Sequence, residues 1–86
     1  MQATVLFDNR HVGQAHDIVL INQFHADRVV LDMKLISMDG RVFVPLVVVV
    51  DGREVNVKLT SFASMGSDEN GLATLRDVTM QVIADS

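Results

Sequence analysis

Apolar and polar residues alternate most regularly between Arg28 and Ala63, a stretch punctuated by Asp39-Gly40 and Asp51-Gly52. An Asp-Gly dipeptide between apolar runs marks a two-residue hairpin, because a type I′ turn needs positive φ at both central residues. Two such turns predict a three-stranded antiparallel meander in which Met38 faces Arg41 and Val50 faces Arg53. One face then carries Val29, Leu31, Met33 and Leu35, then Val44, Leu46, Val48 and Val50, then Val55, Val57 and Leu59. The other carries Val30, Asp32, Lys34 and Ile36, then Phe43, Pro45, Val47 and Val49, then Glu54, Asn56, Lys58 and Thr60. The first face is wholly apolar and the second is mixed. A slip of one residue would exchange them, so the agreement of turns and pattern supports this register. Leu46 is therefore expected beside Met33 on one side and Val57 on the other.

Pro45 interrupts the scheme. It has no N–H to donate to the carbonyl of Lys34, so pairing there is expected to bulge or to part. Elsewhere the pattern is weaker. Gln2–Phe7 has the β-branched and aromatic content of a strand. The polar run Asp8–Asp17 with Gly13 reads as a loop, Ile18–Phe24 as a second strand, and Ser64–Gly71 as a loop. Over residues 72–84 both a helical stripe and an alternation fit, and the density of Val, Thr and Ile selects a strand, with a helix as the alternative. The fold class is all-β, with five or six antiparallel strands in a small barrel or a compact sandwich. No repeat or linker divides the chain, so residues 1–86 form a single domain.

Composition sharpens this picture in one respect. A chain of 86 residues has room for only a thin core, yet 49% of this one is hydrophobic and its mean hydropathy is +0.30. The surplus apolar surface points to association with a partner. A net charge of -4 and scattered Lys and Arg argue against wrapping nucleic acid. With no cysteine, the chain has neither disulfides nor thiolate metal ligands, which fits a reducing, cytoplasmic location. The N-terminus has no signal-peptide pattern, and the apolar run Val42–Val50 is too short to span a bilayer as a helix. Four Phe and no Trp or Tyr leave few platforms for stacking bases.

The candidate chemistry is sparse. His11, His16 and His25 cluster in sequence with Asp17 and Asp27, and imidazole with carboxylate suits transition metals. Their spacing follows no ligand motif. If Asp17–Phe24 were one strand, His16 and His25 would stand about 25–30 Å apart at roughly 3.3 Å per residue, too far to share an ion. Gly66–Asp77 faintly matches a calcium loop through Asp68, Asn70, Gly71 and Asp77, but it lacks the first carboxylate and the final Glu. No nucleophile elbow or phosphate-cradling glycine motif occurs, and Asp32 and Glu54 do not face one another in the register. No enzyme activity, cofactor or metal is expected.

The mixed face of the meander remains. Val30, Phe43, Val47 and Val49 form an apolar centre rimmed by charges, which fits either a protein interface or a second core covered by other strands of the same chain. The sequence thus supports a non-enzymatic binding or assembly module whose partner is a second copy of itself or another protein. The alternative is a small-barrel nucleic-acid binder using Arg28, Lys34, Arg41, Arg53 and Lys58 on the meander.

Overall fold

The computed structural model describes residues 2–19, 22–37 and 44–83. Seven strands follow in chain order: β1 (Gln2–Phe7), β2 (Arg10–Asp17), β3 (Gln23–Asp32), β4 (Leu46–Val50), β5 (Arg53–Ser61), β6 (Ser64–Ser67) and β7 (Leu72–Val82). They pair antiparallel in the order β3-β2-β1-β4-β5-β7-β6, and a further pairing of β3 with β7 closes six of them into a barrel. The sheet ends at β6, which runs outside the closed ring against the first half of β7. The all-β, antiparallel fold class expected from the sequence is observed, and of the two architectures it allowed the barrel is the one formed, of six strands with β6 in addition.

Two hairpins follow from turn chemistry. Asp51 and Gly52 have φ of 51° and 74°, so Val50 faces Arg53 and Leu46 faces Val57, as the alternation predicts. The second was not anticipated. Asp8 and Asn9 both take positive φ, 52° and 62°, and join Phe7 to Arg10 across a two-residue turn. Asp and Asn tolerate this region because their short side chains bond locally. The stretch expected to be a loop, Asp8–Asp17, is therefore mostly strand β2. It is polar because most of its side chains are exposed, with Ala15 alone fully buried.

The first half of the predicted meander is corrected. Asp39-Gly40 lies outside the described residues, and the strand before it ends at Asp32. There the Asp32 carboxylate accepts a hydrogen bond from the Lys34 N–H at 2.9 Å and caps a 3₁₀ turn, Met33–Leu35. Leu46 accordingly has no Met33 beside it. β4 instead pairs with β1, through Val5 opposite Val48, while β3 lies between β2 and β7. The apolar alternation had identified the inward residues but not their neighbours, since any apolar-faced strand satisfies the same pattern. Val29, Leu31, Leu46, Val48, Val50 and Val57 are all buried, whereas Met33 is exposed. Pro45 is exposed and immediately precedes β4, so pairing starts only after it. Its expected partner Lys34 sits in the 3₁₀ turn.

Two further expectations change. Of the strand expected over Ile18–Phe24, only Gln23 and Phe24 are strand, as the start of β3; Val19 is fully exposed, and Leu20 and Ile21 fall outside the described residues. Ser64–Gly71 contains the short strand β6 followed by a turn. The C-terminal segment is a strand, as the Val, Thr and Ile content indicated.

The barrel closes by bending. β3 buries Phe24 and Ala26, then Val29 and Leu31, while β7 buries Ala73 and Leu75, then Val78 and Met80. Between these pairs two consecutive residues face outward on each strand, Asp27-Arg28 and Arg76-Asp77, so the inward phase flips at the same level on both. Asp77 has φ of 53° there, and the β2–β3 register shifts between Gln14 and Ala15, leaving Asp27 unmatched. A bulge of this kind increases local twist and lets a sheet curl over. Beside it, a Cβ on Gly13 would stand 2.5 Å from the Arg28 carbonyl oxygen. Gly13→Ala is expected to destabilise the protein by about 1–3 kcal/mol, because the clash is with backbone rather than a movable side chain. Urea unfolding would measure it, and an unchanged midpoint would refute the close approach.

Candidate functional site

On β1 and β4 the alternation divides the side chains cleanly. Ala3, Val5, Leu46, Val48 and Val50 point into the core, while Thr4, Leu6, Val47 and Val49 alternate with them and are half-buried on the outer wall. The register sets Leu6 against Val47 and Thr4 against Val49. Beyond them stand Asn56 and Glu54 on β5, and His11 and Gln14 on β2. The result is an apolar strip with a polar border.

Of the four residues expected to form an interface, Val47 and Val49 belong to this strip. Val30 does not: it lies on β3, which two strands separate from β4 in either direction around the barrel. Phe43 is outside the described residues. Leu6 is the member that sequence reasoning missed; on β1 it sits on the outer wall with Thr4, alternating with buried Ala3 and Val5. Asp32 and Lys34, expected at the rim, are in the 3₁₀ cap instead.

The second constellation lies at the bend. His16 and His25 are directly opposed across β2 and β3, with ring centroids 5.0 Å apart. The separation of roughly 25–30 Å, which assumed one strand between them, is therefore corrected: β2 ends at Asp17, and β3, beginning at Gln23, runs antiparallel beside it. His25 Nδ1 stands 3.7 Å from Asp27 Oδ1, and its Nε2 stands 4.0 Å from Asp77 Oδ1. His16, His25 and Asp27 each place a ligand-type atom within 4.8 Å of the others. His11 is not in this group; it lines an open groove of about 460 Å³ with Val12, Gly13, Gln14, Asp27, Arg28 and Val30.

The loop that faintly matched a calcium site spends its carboxylate on the backbone. Asp68 Oδ1 accepts hydrogen bonds from the Asn70 and Leu72 N–H groups at 2.9 and 3.0 Å, and Gly71 takes φ of 80° to complete the turn. Asp77 lies in the bend rather than in this turn. The basic residues do not line one groove. Arg28 and Arg76 face each other on β3 and β7, next to Asp27 and Asp77 on one side and to Val29 and Leu75 on the other, while Lys58 and Arg53 are on β5 and Arg41 is outside the described residues. Comparison with protein-family models, with curated proteins and with solved structures gives no match.

Proposed function

We propose that this chain is a non-enzymatic assembly module that pairs with a second copy of itself through the outer face of β1 and β4, acting in the cytoplasm. The observation that carries this reading is the strip of Leu6, Val47 and Val49 on adjacent strands, bordered by Gln14, Glu54 and Asn56. Burying such a strip gains roughly 25 cal/mol per Å², against which the entropy of association must be set. Composition supports the same reading, since 49% of the chain is hydrophobic while fifteen described apolar residues fill the core. Two copies of one face meet across a two-fold axis, so each apolar residue finds an apolar counterpart without a dedicated partner.

Val47→Asp tests it. The substitution puts a carboxylate at the centre of the strip and nothing into the core. It is expected to weaken association about thirtyfold or more, in the range of an interface hot spot. Glu54→Lys, at the border, should change it little. Light scattering reads the mass against the 9.5 kDa chain, and circular dichroism reads folding. A monomeric wild type, or a folded Val47→Asp protein that keeps the wild-type mass, would sink the proposal.

A further inference from the structure

We propose that His16, His25 and Asp27, with Asp77 beside them, form a binding site for a divalent transition-metal cation on the outer wall of the barrel. This goes beyond the assembly reading, because the residues lie at the β2–β3–β7 bend and not on the β1–β4 strip.

The sheet itself brings the donors together. Opposed positions on antiparallel strands hold His16 and His25 side by side, and Asp27 follows His25 by two residues, on the same outward face. The three ligand-type atoms lie within 4.8 Å of one another. A tetrahedral zinc site with bonds of about 2.0–2.1 Å has edges of about 3.4 Å. Side-chain rotation of Asp27, which is 85% exposed, closes most of that gap.

Electrostatics supplies an independent argument. On the β3–β7 ladder Ala26 pairs with Val78 and Arg28 with Arg76, which sets Asp27 opposite Asp77 between them. Like charges directly opposed across strands are destabilising. Asp77 is in addition held at positive φ. Arg28 and Arg76 flank this rung, yet among the described residues the ion-pair-distance contacts of both aspartates go to His25. A dication between the carboxylates and the imidazoles turns that repulsion into attraction. Two imidazoles with carboxylate suit zinc and its transition-metal neighbours, whereas calcium and magnesium prefer all-oxygen sets. Asp77 completes the set as a fourth ligand, or orients His25 by accepting from its second ring nitrogen.

The experiment uses untagged full-length protein, with zinc chloride as the probe in titration calorimetry and thermal unfolding. One zinc per chain is expected, with a rise of about 15 °C in midpoint when zinc exceeds its dissociation constant a hundredfold. His16→Gln and His25→Gln, which nearly preserve volume and whose folding circular dichroism checks, should each lower affinity at least about tenfold, and Asp77→Asn about tenfold. His11→Ala and Val47→Asp should leave affinity unchanged, and millimolar magnesium should not compete. Three results would overturn the site: no zinc bound at millimolar concentration, affinity retained in the His16→Gln/His25→Gln double variant, or loss with His11→Ala while His16→Gln and His25→Gln still bind.

Discussion

Val48→Asp is expected to abolish folding, while the same change one residue earlier leaves the barrel intact. Val48 is fully buried, facing Val5 on β1 and Val55 on β5. Among the described residues no charged or polar side chain is buried anywhere in the core, so a carboxylate there has neither cation nor donor. Its desolvation costs several kcal/mol. An 86-residue domain has a total stability of about 4–13 kcal/mol at the usual stability per residue, so the penalty consumes most of it. Circular dichroism of the two variants side by side checks the alternation of β4 directly. If Val48→Asp unfolded at the wild-type urea concentration, the inward face of the barrel would be wrongly assigned.

A second large effect is expected at Leu75. This residue is fully buried on β7, opposite Val29 of β3 and Met65 of β6. Leu75→Ala leaves a cavity in the strand that closes the ring, and a loss of about 2–5 kcal/mol is expected. Leu72 begins the same strand but is 40% exposed, so Leu72→Ala should cost under about 1 kcal/mol. Chemical denaturation of both variants separates the cases, and equal losses would mean that Leu75 does not belong to the core.

What was readable in the chain depended on range. The β4–β5 hairpin was legible because its turn, register and apolar face are all encoded within sixteen residues, Leu46 to Ser61. The Asp8-Asn9 turn is just as local, yet its return strand is polar, and polarity was mistaken for a loop. In a thin barrel a strand that buries one residue deeply, as β2 buries Ala15, carries almost no periodic signal. The partners of β3 and β4 were not legible, since alternation says which side chains turn inward and nothing about which strand lies next to them. The same limit hid the His16–His25 pair. Their adjacency depends on the antiparallel pairing of β2 with β3, whereas the apolar run Ile18, Val19, Leu20 and Ile21 reads in sequence as a strand between them. The one local clue was Asn22, which adopts φ of 67° and is a residue type that favours such turns.

The long ladder between β3 and β7 also has a kinetic meaning. Its partners, from Gln23 with Gln81 to Asp32 with Leu72, are some forty to sixty residues apart in sequence. Looping that much chain costs entropy before any contact is gained. β1 with β2 and β4 with β5 can zip locally in roughly microseconds, but ring closure is the slow event, on a scale of about milliseconds to seconds for such topologies. Until β7 pairs with it, one edge of β3 is open and Val29 and Leu31 lack their partners Leu75 and Ala73. The hazard for this protein is therefore greatest before the native state exists. The charged residues Asp27 and Arg28 in the middle of β3 blunt that edge in the meantime.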